Sequence, residues 1–227
     1  MADVVYRISN GAMRFVLRAF SRWSVEGLEN LNQTGPLLVV VNHLSNIDPG
    51  LLGASLPRRL RFVAKKEIFR WLGGWYFRTY GAFPLDRDGK DSVGFRWGRD
   101  VLKNGGALVV FPEGHRNPKT GMQRATPGAA LLAMHTNAAI LPVAITGTEH
   151  LGPVWRTFFP TGDINVKLGK PFKLPPIEGR IRRDQLQHLV DSMMEEVSAL
   201  LPAEYQGVYR LDPSHNQSGN TLAINNQ

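Results

Sequence analysis

The 227-residue chain contains no cysteine. Disulfides, zinc–thiolate sites and a cysteine nucleophile are excluded, and a cytosolic setting fits. The chain also lacks any apolar run approaching the roughly 20 residues that a membrane-spanning helix needs. Its first residues show neither the apolar stretch nor the small-residue cleavage site of a signal peptide. A soluble or peripheral protein is expected. No internal repeat and no second domain is visible. Acidic residues are in deficit: 19 Asp and Glu face 27 Lys and Arg, for a formal net charge of +8. That balance suits an anionic partner, whether nucleic acid, an anionic membrane or a phosphorylated substrate. With 43% hydrophobic and 20% charged residues, the chain has enough apolar material for one full core.

What is present converges on Val41-Asn42-His43-Leu44-Ser45-Asn46-Ile47-Asp48-Pro49. The apolar run Leu37–Val41, preceded by Gly35-Pro36, reads as a fully buried strand. Asp48-Pro49 reads as a helix start, with Asp at the N-cap and Pro at the first helical position. His43 is then in the loop leaving the carboxyl end of a buried strand, where open α/β sheets bind ligands. Asp48 is near enough to accept a proton from one ring nitrogen, leaving the other as a base facing the cleft. Equally, such a histidine can be structural and such an aspartate a cap.

Residues 1–23 read as a basic amphipathic helix. Arg14, Arg18 and Arg22 recur at i, i+4 and i+8, while Met13, Val16, Leu17, Phe20 and Trp23 form an apolar stripe. The pattern fits a helix lying in a membrane interface, and equally a surface helix packed on the domain. The segment is expected to be dispensable for folding. Residues 24–212 form the main domain, with strands at 60–64, 80–85, 107–111, 140–146 and 164–168. Helices are expected at 49–55, 68–77, 92–104, 126–135 and 184–201. Strands alternating with helices imply a single-domain α/β layered fold with a largely parallel or mixed central sheet. The Asn/Gln/Ser/Gly-rich tail 213–227 is expected to be disordered.

Three strand ends carry charged clusters: His43 with Asp48, Asp86 with Arg87, and Glu113 with Arg116. On neighbouring parallel strands they would share one cleft. Arginines beside a base suit a phosphate-bearing substrate, because guanidinium forks match phosphate oxygens. Ion pairing of Arg87 with Asp86 and of Arg116 with Glu113 is the simpler alternative. Aromatic residues crowd 68–77, where Phe69, Trp71, Trp75 and Phe77 suit either core packing or the wall of an acyl groove.

Four blocks together resemble the glycerolipid acyltransferases, the family of the 1-acylglycerol-3-phosphate O-acyltransferases. His43 through Asp48 is similar to the family's H-x4-D block. Gly81-Ala82-Phe83-Pro84-Leu85-Asp86-Arg87 resembles the second, Phe111-Pro112-Glu113-Gly114-His115-Arg116-Asn117 the third, and Leu141-Pro142-Val143-Ala144-Ile145 the fourth. Two positions depart: His115 stands where the family usually has Thr, and Asn117 where it usually has Ser. They bear on the acceptor headgroup more than on the reaction type.

The resemblance implies transfer of a fatty acyl group from an acyl-CoA or acyl carrier protein thioester to a lysophospholipid hydroxyl. The expected acceptor is 1-acyl-sn-glycerol-3-phosphate and the product phosphatidic acid. Another lysolipid or glycerol 3-phosphate is the alternative acceptor. His43 would be the general base and Asp48 its orienting partner. Arg87 and Arg116 would hold the acceptor phosphate, Glu113 would contact the glycerol or orient Arg116, and amides near Gly114 would form an oxyanion hole. Ser45 sits in no nucleophile elbow. No metal and no cofactor beyond the thioester co-substrate is expected. The expected location is the cytoplasm, peripherally on the inner face of an anionic membrane. A non-catalytic lipid binder of the same fold and an esterase are the rival classes. Nucleic acid is not expected as a partner, because charge at the N-terminus and strand ends fits anionic lipid better.

Overall fold

The structure is a computed structural model that describes residues 1–31, 34–70, 73–85, 92–175 and 181–210. Its frame is a sheet of β1 (Arg22–Glu26), β2 (Leu37–Val41), β3 (Leu60–Lys65), β4 (Ala82–Leu85), β5 (Ala107–Val110), β6 (Ala139–Thr146) and β7 (Asp163–Leu168). The α-helices among the described residues are α1 (Ala2–Phe20), α2 (Asp48–Ser55), α3 (Gly74–Tyr80), α4 (Ser92–Lys103), α5 (Gly128–Thr136) and α6 (Arg183–Ser198). The strand order is β1-β7-β6-β2-β5-β3-β4, and every pairing is parallel except β6 with β7. The expected α/β fold with a mixed sheet is therefore what the chain adopts.

Strand β2 occupies the middle because all five of its residues are Leu or Val and none needs water. All five are fully buried. Side chains alternate across a strand, so both faces must be covered. Leu37, Val39 and Val41 join a core with residues of α1, α2 and α3, and Leu38 and Val40 join one with α4, α5 and α6. Strands β2 to β6 all run one way, so the loops after them leave from a single edge. Strands β7 and β1 run the opposite way, which brings residues 147–162 and the end of α1 to that same edge. There Arg22 is paired with Asp163 in register and by an ion pair.

Helix α1 departs from expectation in extent, and of the two expected orientations it takes the one packed on the domain, with Met13, Leu17 and Trp23 against the core. It ends at Phe20, and Arg22 and Trp23 belong to β1. The boundary expected at residue 23 falls inside a strand. Its packed face carries Tyr6, Asn10 and Leu17, all buried. Tyr6 accepts from the Leu60 N–H at 3.1 Å, and Asn10 accepts from the Tyr80 hydroxyl at 2.6 Å. Gly53 in α2 permits this approach: a Cβ there would lie 2.1 Å from the Tyr80 oxygen. Arg14 donates to the Ala54 carbonyl at 2.7 Å and ties α1 to α2. Leu17 of the expected apolar stripe is thus core. The exposed face carries Val4, Ile8 and Phe15 at 57, 67 and 70% exposure, flanked by exposed Arg7 and Arg18. Deleting residues 1–23 would remove core and half of β1, so the segment is not a dispensable appendage.

Smaller differences concern the aromatic stretch. A 3-10 helix, Lys66–Phe69, precedes α3, which starts at Gly74 inside the single helix expected over 68–77. Tyr80 closes α3 rather than opening a strand, because its ring packs on Tyr6 at 4.9 Å and Phe62 at 5.9 Å. Trp71, Asp86, Arg87 and the expected disordered tail 213–227 lie outside the described residues. None of the described helices is long and apolar enough to cross a membrane.

Candidate active site

Strands β2 and β5 are parallel neighbours, so the loops that leave them meet, and hydrogen bonds stitch them together. The His43 N–H donates to Glu113 Oε1 at 3.0 Å, and the Asn117 N–H returns to the His43 carbonyl at 2.8 Å. Glu113 Oε2 accepts from the Asn117 side-chain amide at 2.6 Å and the Gln123 N–H at 2.8 Å. Glu113 is almost fully buried. Burial pushes its carboxyl above the usual carboxylate range, and these three donors pull the other way. The loop turns at Gly114, whose φ of +76° favours glycine.

Asp48 is the fixed point on the other side. Its Oδ2 lies 2.8 Å from His43 Nδ1 and also accepts from the Leu44 and Ser45 N–H groups, each at 2.8 Å. Its Oδ1 accepts from the Thr148 hydroxyl at 2.8 Å. The carboxylate is fully buried and acts as acceptor throughout. The imidazole must therefore donate through Nδ1–H, which leaves Nε2 with a lone pair. The ring stacks on Phe111, centroids 4.1 Å apart. Asp48 is the first helical residue, not the cap, which is Ile47. Its side chain turns back onto the loop because two unpaired amides wait there, whereas a cap would serve the N–H groups of the next turn.

The surrounding residues hold the β2 loop against β6. Asn42 bonds both backbone groups of Ile145, at 2.9 and 2.8 Å. Ser45 is buried and donates to the Leu151 carbonyl at 2.9 Å, so its hydroxyl is committed to structure. Asn46 reaches the Gly152 carbonyl at 2.9 Å. Arg116 is exposed on the same edge and has no carboxylate partner among the described residues. The Gly114 N–H is taken by the Phe111 carbonyl at 3.0 Å. The next two amides, of His115 and Arg116, find no acceptor among the described residues. A hollow of about 190 Å³ lies against the loop, lined by Leu44, Asn117, Lys119 and Tyr205 among others.

A buried carboxylate, a histidine presenting a free nitrogen, and a cationic loop share one sheet edge, an arrangement chemically able to take a proton from a hydroxyl beside an anionic group. A family model described as Acyltransferase matches residues 22–146, more than half of the chain.

The chain belongs to the acyltransferase family.

This O-acyltransferase is 28% identical over 207 residues to the 1-acyl-sn-glycerol-3-phosphate acyltransferase of Streptococcus pneumoniae, covering 86% of this chain and 70% of that one. It is 33% identical over 114 residues to a lyso-ornithine lipid O-acyltransferase of Pseudomonas aeruginosa, covering 49% and 43%. Among solved structures it is similar to the 1-acyl-sn-glycerophosphate acyltransferase PlsC of Thermotoga maritima. That match has a TM-score of 0.66 and 28% identity, over 88% of this chain and 79% of that one.

Within the acyltransferase, the structure brings His43, Asp48, Glu113, Gly114 and Arg116 to one edge. Phe69 and Phe77 pack edge-on at 5.9 Å, with Arg78 over Phe69, and Trp75 is 62% exposed. None of them lines the hollow beside the His43 and Glu113 loops. Sequence reasoning missed Thr148, Gln123 and the bridging role of Asn117. The signal for Thr148 was its place just beyond β6, the same strand-end position that pointed to His43.

Proposed function

We propose that the acyltransferase moves a fatty acyl group from a thioester of coenzyme A or acyl carrier protein to the hydroxyl of 1-acyl-sn-glycerol-3-phosphate, giving phosphatidic acid for phospholipid synthesis. The observation that carries this reading is the 2.8 Å contact of His43 Nδ1 with buried Asp48, in a chain similar to acyltransferases named for that acceptor. The acceptor hydroxyl gives its proton to His43 Nε2 as its oxygen attacks the thioester carbonyl. The tetrahedral intermediate collapses, the C–S bond breaks, and the imidazolium returns the proton to the leaving thiolate. Asp48 holds the tautomer and stabilises the imidazolium. The amides of His115 and Arg116, without an acceptor among the described residues, are the candidate donors to the developing oxyanion.

Arg116, with Arg87, binds the acceptor phosphate. Glu113 works as a positioning residue, because its oxygens are already occupied by donors from His43, Asn117 and Gln123. Phe69, Trp71, Trp75 and Phe77 remain the candidates for contact with the acyl chain. The acceptor resides in a bilayer, and the exposed face of α1 gives the enzyme a peripheral hold on the anionic inner surface of the membrane. A thiol-release assay tests the reading. Release from acyl-CoA or acyl carrier protein should depend on added lysophosphatidate, and release without any lipid acceptor would mark a thioesterase.

A second acceptor class has specific support. The lyso-ornithine lipid relative, together with His115 and Asn117 where the family usually has Thr and Ser, favours testing lysolipids without a glycerol phosphate. An acceptor panel with one donor distinguishes the two by kcat/KM.

A further inference from the structure

We propose that the turn at residues 153–159, with Phe20, inserts into an anionic phospholipid bilayer and seats the catalytic edge on the membrane. The proposal rests on the reading above that the acceptor is membrane-borne. Val154, Trp155, Phe158 and Phe159 are 68, 60, 63 and 54% exposed, in and beside a short 3-10 helix, Val154–Phe158. Phe20 at the end of α1 is 44% exposed and meets Phe159 edge-on at 5.2 Å. Isolated exposed apolar residues need no explanation, but a contiguous group of large ones marks an interaction site.

Three observations point to a bilayer as occupant. First, charge: the chain has no Asp or Glu between Glu149 and Asp163, and Asp163 is bound to Arg22. Arg156 lies over the Trp155 ring at 5.2 Å, and Arg18 is exposed on the neighbouring helix. Aromatic rings beside arginines and away from acids match an anionic headgroup layer. Second, place: the turn follows β6 on the sheet edge that carries His43. Third, coupling: its base is fastened to the catalytic loop, since Ser45 and Asn46 bond the Leu151 and Gly152 carbonyls at 2.9 Å. His150 Nε2 meets the Thr161 carbonyl at 2.9 Å and closes the turn. Insertion of this turn therefore fixes the height of the His43 loop above the headgroups.

The test uses the full chain carrying Trp155→Ser and Phe158→Ser together. Both side chains are more than half exposed, so the thermal midpoint should stay within a few degrees. Binding to phosphatidylglycerol-containing vesicles should weaken at least tenfold, about 1.4 kcal/mol. Turnover of long-chain lysophosphatidate in those vesicles should fall in parallel, and turnover of a dispersed short-chain acceptor should not. A second measurement is brominated-lipid quenching, in which Trp155→Phe should remove a component of the wild-type signal. Unchanged vesicle affinity with unchanged quenching overturns the proposal. So does a wild-type dimer that the double variant converts to monomer with vesicle binding intact, because the patch would then join two copies. Absence of transfer by the wild type to the dispersed acceptor would defeat the functional reading instead, and the vesicle measurements would still decide the insertion.

Discussion

The main-chain N–H of His43 donates to Glu113 Oε1 at 3.0 Å, across 70 residues of sequence. His43 is consequently held by two carboxylates, Asp48 on the ring and Glu113 on the backbone. Asp48 sets which nitrogen is free, and Glu113 sets where the whole residue sits.

Glu113→Gln should separate those roles. The amide keeps the shape but places an NH2 group against donors, so the clamp on the His43 loop loosens. A misplacement of about 1 Å can cost roughly 100-fold in rate. We expect kcat to fall 10- to 100-fold with little change in KM for either substrate, as measured by steady-state kinetics. A rise confined to the acceptor KM would instead make Glu113 a substrate contact. The same variant has a pH signature. Burial raises the Glu113 carboxyl in the folded state, so the folded protein binds this proton more tightly than the unfolded chain does. Stability then declines as pH rises from about 4.3, the ordinary value, through the raised one, and is level above it. Denaturant titrations across that window should show a slope in the wild type that is absent in Glu113→Gln.

Asp48→Asn tests the tautomer. With its amide nitrogen toward the loop the variant confronts the Leu44 and Ser45 N–H groups; flipped, it donates to the Thr148 hydroxyl, which then accepts, and the bonds at Oδ2 lose their charge assistance. We expect a kcat loss of about 10²–10⁴, with destabilisation of about 1–3 kcal/mol from the charge-assisted bonds that are weakened or broken. Thr148→Val should cost far less in rate, since Oδ2 keeps its three donors. Urea melts and initial rates on the two variants check both statements.

Arg116→Ala should raise the KM for a phosphorylated lysolipid by about 10- to 100-fold, the scale of a charge-assisted hydrogen bond. The donor KM should stay within about twofold, and Lys should restore little because it lacks the fork. An effect on the donor alone would assign this arginine to the nucleotide or carrier end.

How much the chain reveals before folding differs from place to place. The His43–Asp48 pair is readable because β2 is a short, wholly apolar run and the pair is local, five residues apart. Thr148 and Gln123 act on the same site but depend on β6 and β5 lying beside β2, which no local pattern encodes. Asp48 looked like a helix cap because composition cannot show which amides lack partners. Helix α1 misleads for a different reason. It is apolar on two sides, and the inward side also carries the polar atoms of Tyr6 and Asn10, whose hydroxyl and amide find Leu60 and Tyr80 as partners. Periodicity alone does not distinguish the side facing protein from the side facing out.

That distinction is open to measurement. Leu17→Ala should cost about 2–5 kcal/mol of stability as a buried truncation, with vesicle binding unaltered under folding conditions. Phe15→Ser should change stability by no more than about 0.5 kcal/mol and weaken vesicle binding. The reverse pattern would put the Leu17 side against the membrane instead.

Acyl transfer to a lipid hydroxyl with His43 as the base can be observed in its product. Mass spectrometry of products from purified protein, supplied with a long-chain acyl thioester and lysophosphatidate, tests it most directly. We expect phosphatidic acid carrying the supplied acyl chain, and a loss of about 10²–10⁴ in its rate of formation in a folded His43→Ala variant. Undiminished formation of phosphatidic acid by that variant, or free fatty acid as the sole product of the wild type, would contradict it.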